Sequence, residues 1–354
     1  MMDCCRLKKW RGLAKKYEAM ALKRCANILC SDFTPDNLVV VANVFCTCLE
    51  SRLANGDIQG AVESGGSAKV IAEMLRSQDM EVEIWPSQAS ALLYLDRISE
   101  CETVLEQLES VAIMSNNPLG RAYFIAGCLD VGLDAGYLVR PFKHCVDFCT
   151  TAMKDPNLQR DKGICFYLAV DLALWFARIN HWKESDTWFE KALECQPQIQ
   201  ETVTCFRTVY AMVKMCECRL LCANKAGKRP FADALLKKAQ KSLKSLQKQV
   251  GMLQVLQPRM LHMEAYLSAL KGNLQRAKKL LTQCETVSSA MGNILETEWA
   301  AWSQKVWFDP AYADHENAFW MQGGVTRVQS IDSTGTAASV RFSLPLSSVT
   351  PNTA

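Results

Sequence analysis

Small and apolar residues return at four- and seven-residue intervals along most of this chain, and short groups of Gly, Pro, Asn and Asp separate the stretches. Those intervals return to one face of an α-helix, so the pattern predicts paired helices joined by short turns. In one unit the turn Asn180-His181 leads to a small Ser185, then to Phe189 and Ala192, and Ala169, Leu172, Ala173 and Phe176 match them on the helix before. A small residue at 185 lets two helices approach closely. The arrangement recurs. Gly56 leads to Ala61, Gly65 and Ala68, and Asp96 leads to Cys101, Leu105 and Leu108. Arg140 leads to Cys145, Cys149 and Ala152, Gly227 to Ala232, Leu236 and Ala239, and Gly272 to Ala277, Leu281 and Cys284. The small residues fall at 61, 101, 145, 185, 232 and 277, a period of forty-odd positions.

In outline each unit resembles the tetratricopeptide (TPR) repeat, lengthened beyond its usual roughly 34 residues. The expected fold is all-α: a TPR-like solenoid of about six to seven degenerate helical hairpins over residues 1–308, then a Ser/Thr-rich, largely disordered tail over 309–354. Turns are expected near 31–36, 54–57, 116–120, 154–161, 224–230 and at Gly272. Val39-Val40-Val41 and residues 80–84 have strand-like composition but adjoin helical patterns, and both are placed in or beside helices. Gly65-Gly66 would weaken a helix interior by roughly 1 kcal/mol each, which predicts a kinked or frayed helix in the first unit. The array is expected to end with a helix over 295–308, with Trp299, Trp302 and Trp307 closing its open end. Beyond about Gly323 the chain has too little apolar surface to offset its entropy.

With 354 residues, 49% of them hydrophobic, the chain is long enough for an elongated repeat array or two to three domains. A net charge of +3 gives no strong field toward nucleic acid. The N-terminus has no apolar signal segment, so the 17 cysteines are expected reduced, in the cytoplasm, mostly as small buried hydrophobes. No uninterrupted apolar run approaches the ~18–20 residues that span a bilayer, and no transmembrane segment is expected.

Catalytic signals are missing. There is no phosphate-binding Gly-x-x-x-x-Gly-Lys-Ser/Thr loop, and Ser64-Gly65-Gly66-Ser67 lacks the lysine such a loop needs. Cys216, Cys218 and Cys222, and His144 with Cys145 and Cys149, hint at metal ligation. Yet no Cys-x-x-Cys pair occurs, Cys216 diverges from the other two on a helix, and 145 and 149 are positions where the repeat demands small packing residues. An enzyme using Cys145 or His144 is the weakest of the readings. The expected catalytic, cofactor-binding and metal residues are none.

One surface stands out. Lys237, Lys238, Lys241, Lys244 and Lys248 share one side of a segment whose other side carries Leu235, Leu236, Ala239, Leu243 and Leu246. A solvated outer face is the ordinary explanation. The functional one is a dock, centred on Lys237, Lys241, Lys244 and Lys248, for an acidic protein partner, with peripheral contact to an anionic membrane as a variant. Nucleic acid is not expected, because no aromatic residue interleaves the lysines to stack bases.

Residues 166–182, with Phe166-Tyr167-Leu168-Ala169-Val170-Asp171-Leu172 and Trp175-Phe176-Ala177-Arg178, are distinctive. So are residues 267–308, with Leu270-Lys271-Gly272-Asn273, Gly292-Asn293-Ile294-Leu295-Glu296-Thr297-Glu298-Trp299 and Val306-Trp307-Phe308. Together they resemble the C-terminal helical-repeat region of the soluble, bicarbonate-responsive adenylyl cyclases. In that family, the resemblance implies, two N-terminal domains with metal-binding aspartates convert ATP to cyclic AMP, and a P-loop module precedes the repeats. This sequence has no counterpart of either, so none of the family's catalytic residues carries over. The expectation is a regulatory or scaffolding region, a fragment or truncated isoform of a longer cyclase, that holds a protein partner on a concave surface and contacts cyclase domains or an acidic peptide. The alternative is a free-standing TPR-type adaptor unrelated to cyclases.

Overall fold

The computed structural model describes residues 11–31, 34–199, 205–226, 232–309 and Leu344. Among these the regular structure is all helical, in fourteen α-helices: α1 (Arg11–Ser31), α2 (Pro35–Asn55), α3 (Ile58–Leu75), α4 (Gln78–Tyr94), α5 (Ile98–Met114), α6 (Pro118–Ala135), α7 (Phe142–Ala152), α8 (Lys162–Arg178), α9 (Trp182–Ile199), α10 (Phe206–Ala226), α11 (Ala232–Val250), α12 (Gln257–Leu270), α13 (Leu274–Ala290) and α14 (Ile294–Phe308). Two single 3₁₀ turns, Leu158–Arg160 and Gln254–Leu256, precede α8 and α12. Val39–Val41 and residues 80–84 lie within α2 and α4.

Local chemistry fixes the helix ends. Asp57, Asn117, Asp161, Asn273 and Asn293 each accept, through a side-chain oxygen, the backbone N–H three residues on, at 3.0–3.2 Å. Each cap satisfies one of the N–H groups that the first turn leaves without a partner. At the other end, Gly56, Asp96, Asn180 and Gly272 adopt positive φ in the turns that follow helices. Arg140 does not share that conformation; α6 ends instead at Gly136 (φ +68°), and Pro141 leads into α7. Gly227 lies outside the described residues.

The small residues expected at helix crossings are buried wherever their side chains are described. Ala61, Cys101, Cys145, Ser185 and Ala277 are at most 2% exposed, and the side chain of Ala232 lies outside the described residues. Cys101 Sγ reaches the Ala89 carbonyl on α4 at 3.4 Å, and Ser185 Oγ donates to the Ala173 carbonyl on α8 at 2.9 Å. The predicted weak point at Gly65-Gly66 is not a break: α3 runs unbroken through both. A Cβ on Gly65 would lie 1.6 Å from Gln88 Oε1, so this glycine is what allows α4 its close approach.

The even-numbered helices form an inner layer in which each packs on the next, from α2 to α14, and every odd-numbered helix from α3 to α13 packs on the one before it. The inner layer also closes on itself, since α14 meets α4, and the 254–256 turn meets α2. Trp299 is fully buried, Trp307 nearly so, and Trp302 is half-buried. Of the expected disordered tail, residues 310–343 and 345–354 lie outside the described residues, while Leu344 is buried and its carbonyl accepts from Trp307 Nε1 at 2.8 Å.

Among the described residues one helix, α2, is long and apolar enough to cross a membrane by length and composition, although no single apolar run in it announced this. Leu38, Val41, Ala42, Cys48, Leu49 and Leu53 bury its inward face, while Val39 and Val40 are exposed.

Candidate functional site

The space enclosed by the inner helices is filled with charge. Asp130 and Asp134, one turn apart on α6, face Asp171 and Arg178 of α8, Lys214 and Glu217 of α10, Arg259 of α12 and Glu296 of α14. Lys214 Nζ bonds Asp130 and, at 2.9 Å, Asp171. Arg259 Nε donates to Glu296 at 2.6 Å, and its two terminal nitrogens donate to Asp134 at 3.1 and 3.2 Å. Arg178 Nε donates to Glu217 at 2.7 Å. The Tyr167 hydroxyl donates to Asp130 at 2.7 Å, the Tyr210 hydroxyl to Asp134, and the Trp299 indole to the Asp134 carbonyl at 2.9 Å. Aromatic faces complete the surroundings: Arg259 and Arg178 lie 4.3 and 5.1 Å from the Trp299 ring, and Lys214 lies 4.4 Å from Tyr210.

Five carboxylates here stand against three cations, and burial sorts them. Asp171 is pushed well above the usual carboxylate range by burial, with the pull of Lys214 too weak to restore it. Asp130 is raised for the same reason. Glu296 rises to about 7 by burial, against the pull of Arg259. Asp134 goes the other way: burial raises it, but Arg259, Lys214 and the Tyr210 hydroxyl together hold it below its ordinary value. His262, whose Nε2 lies 2.8 Å from Ser303 Oγ, is depressed to about 3 by burial and by Arg259 and Arg178. Burial thus opposes the charged form of three of these carboxylates, while the cations beside them favour it.

This filling occupies the space between the inner helices. Contacts such as Arg259 to Asp134 and Arg207 to Ser87 span 125 and 120 positions, so the inner faces of distant helices meet one another. A cleft of about 850 Å3 lies between the start of α8 and the start of α10, bordered by Arg160, Lys162, Arg207 and Tyr123. A cavity of about 20 Å3 behind it shares Tyr123, Tyr167 and Arg207 and reaches Asp130.

The residues singled out by sequence are scattered around this centre. Lys237, Lys238, Lys241, Lys244 and Lys248 are exposed along α11, while Ala239, Leu243 and Leu246 on its other side are buried. Among the described residues none of the five pairs with a carboxylate. Cys145, Cys149, Cys216 and Cys218 are buried, and burial pushes the Cys145 and Cys216 thiols up to about 12. His144 is exposed and its neighbour Cys145 is buried. Among the described residues no three His, Cys, Asp or Glu side chains gather as a metal requires.

Sequence reasoning missed the ion network, though it left a trace. Asp171 interrupts an apolar run, Phe166 to Phe176, and Lys214 and Glu217 sit within another. Charges three and four positions apart inside buried helices imply partners elsewhere.

Comparison with known proteins adds a relationship at this point. Human adenylate cyclase type 10 is 24% identical over 315 residues, covering 88% of this chain but 19% of that protein. The chain resembles a part of adenylate cyclase type 10. The rabbit and mouse proteins of that name match at 22% identity, over 84% and 88% of this chain and 18% and 19% of their own length. This chain thus spans under a fifth of the adenylate cyclase type 10 proteins it matches. No family model and no solved structure matches.

Proposed function

We propose that this chain is a non-catalytic scaffolding or regulatory region of TPR-like hairpins, related to a part of adenylate cyclase type 10, that acts in the cytoplasm through protein contacts. The small residues buried at five helix crossings support the hairpin reading, with a superhelix tight enough to close on itself. The observation that carries the contact role is the α11 stripe of five exposed lysines without a carboxylate partner among the described residues. Such a stripe attracts an acidic segment, and cyclase domains are the first candidate partner. The outer helix, not a concave groove, is then the contact surface.

The test is a pull-down of recombinant cyclase domains with the purified chain and with Lys241→Glu/Lys244→Glu. The expected result is salt-sensitive capture that the double variant loses at unchanged thermal stability. Equal capture by both proteins removes the lysine stripe from the reading. Cyclic AMP made by the chain alone from ATP and a divalent metal removes the non-catalytic part.

A further inference from the structure

We propose that Trp307, in the last turn of α14, centres a docking site for an extended apolar segment, and that the chain's own C-terminal segment around Leu344 occupies this site in cis. Trp307 is 9% exposed, stacks on Tyr266 of α12 at 5.6 Å and lies 5.7 Å from His262, one turn earlier on that helix. Leu344 is 2% exposed, although it stands 37 positions beyond Trp307, and its carbonyl accepts the Trp307 indole N–H at 2.8 Å. A buried indole N–H needs an acceptor, and the carbonyl of a residue outside any helix is free to supply it. Because α14 is the last of the described helices, what meets this indole comes from the tail and not from a further hairpin.

The sequence around Leu344 suits such a site. Val340, Phe342, Leu344 and Leu346 are apolar and alternate with Arg341, Ser343, Pro345 and Ser347. An interval of two is that of an extended backbone with one apolar face, so Val340, Phe342 and Leu346 belong on the side that Leu344 commits to the core. Pro345 reinforces this, because the residue before a proline is driven toward extended backbone. A main-chain carbonyl held by the protein, with side chains docked at alternate positions, is how extended peptides are recognised. Seating Leu344 closes a span of 37 positions, and the entropy of that closure offsets part of what a short apolar face gains, so the occupant can be exchanged. The site lies on other helices than the lysine stripe and stands independently of that contact.

Hydrogen exchange is measured on the full chain as wild type, Leu344→Asp and Ser343→Asp. Leu344→Asp is expected to speed exchange about tenfold in peptides that span the last turn of α14, with α2 to α5 unchanged. Ser343→Asp, on the polar side of the alternation, is expected to keep wild-type protection. A fluorescein-labelled peptide of residues 338–349 is then titrated into the same proteins, with anisotropy as the readout. It is expected to bind Leu344→Asp about tenfold more tightly than wild type, whose own segment competes at high effective concentration. Adding Trp307→Phe to Leu344→Asp keeps a ring, removes the N–H and is expected to weaken the peptide severalfold. Equal exchange in wild type and Leu344→Asp, equal peptide affinity for both, or full affinity without the Trp307 N–H overturns the site. Exchange that rises throughout Leu344→Asp makes Leu344 a fixed part of the core and overturns the exchangeable occupant.

Discussion

The Arg259 guanidinium on α12 donates twice to Asp134 on α6, at 3.1 and 3.2 Å, across 125 positions of sequence. Its third contact, to Glu296 on α14, makes one side chain the junction of three inner helices. Removing it strands two carboxylates in an enclosed space. Arg259→Met is therefore expected to cost about 3–5 kcal/mol of stability, read from urea unfolding. Adding Glu296→Gln should restore part of the loss, because one stranded charge disappears. A cost below about 1 kcal/mol would mean that the network is open to water.

The same centre sets two opposing pH dependences. Glu296 titrates near 7 when folded against 4.5 when free, so the folded chain holds a proton that the unfolded one has released. Its contribution is full below pH 4.5 and is lost as pH rises through 7, at about 1.4 kcal/mol per unit. His262, at about 3 against 6.5, stays neutral where the unfolded imidazole is charged, so its contribution is lost as pH falls from 6.5 toward 3. The groups facing them are Asp134 of α6, Arg178 of α8, Glu217 of α10 and Arg259 of α12. Unfolding curves between pH 4.5 and 8 should then diverge: relative to wild type, Glu296→Gln gains toward alkaline pH and His262→Gln gains toward acid. Parallel curves for all three proteins would show that neither group is buried as described.

Much of the fold was legible because it rests on short-range constraints. Cys101, Ser185 and Ala277 mark helix crossings only a turn from the loops that position them, and the 3.6-residue period placed them without knowledge of the rest. The closure of the inner layer was not legible. It depends on how the packing of many successive helices adds up, and nothing local reveals that α14 meets α4. Asp171 and Lys214 announced that something polar was enclosed, but their partnership spans 43 positions and needed the arrangement of the helices to be known first. The lysine stripe was fully legible, since it lies within one helix; what it touches was not.

Thiol chemistry separates packing cysteines from any reactive one. Among the described cysteines only Cys30 and Cys205 are exposed, while Cys46 and Cys222 are half-buried. Burial raises the thiols of Cys101, Cys128, Cys145, Cys149, Cys216, Cys218 and Cys284, which suppresses the nucleophilic thiolate. Native labelling at pH 8 with an aromatic disulfide, followed by peptide mapping, should modify Cys30 and Cys205 rapidly and these seven only as fast as the chain unfolds. Rapid labelling of Cys145 would revive the enzyme reading.

Two adjacent glycines in α3 should respond to alanine in opposite directions. Both lie in the interior of one helix, where glycine costs about 0.5–1 kcal/mol relative to alanine through the entropy of the unfolded chain. At Gly66 a Cβ would meet nothing within 4 Å, so Gly66→Ala should recover that amount. At Gly65 the added methyl would stand 1.6 Å from Gln88 Oε1 and 3.4 Å from Leu49. Gln88 is itself buried, and its Nε2 donates to the Val62 carbonyl at 3.3 Å, so it can yield only by giving up that bond. The loss of the bond and the overpacking together outweigh the helix gain, and Gly65→Ala should destabilise by about 1–3 kcal/mol. Urea midpoints of the two variants, measured at unchanged slope, decide the matter. If both shift upward, α3 and α4 are not in close contact at this point and the first hairpin is looser than the rest.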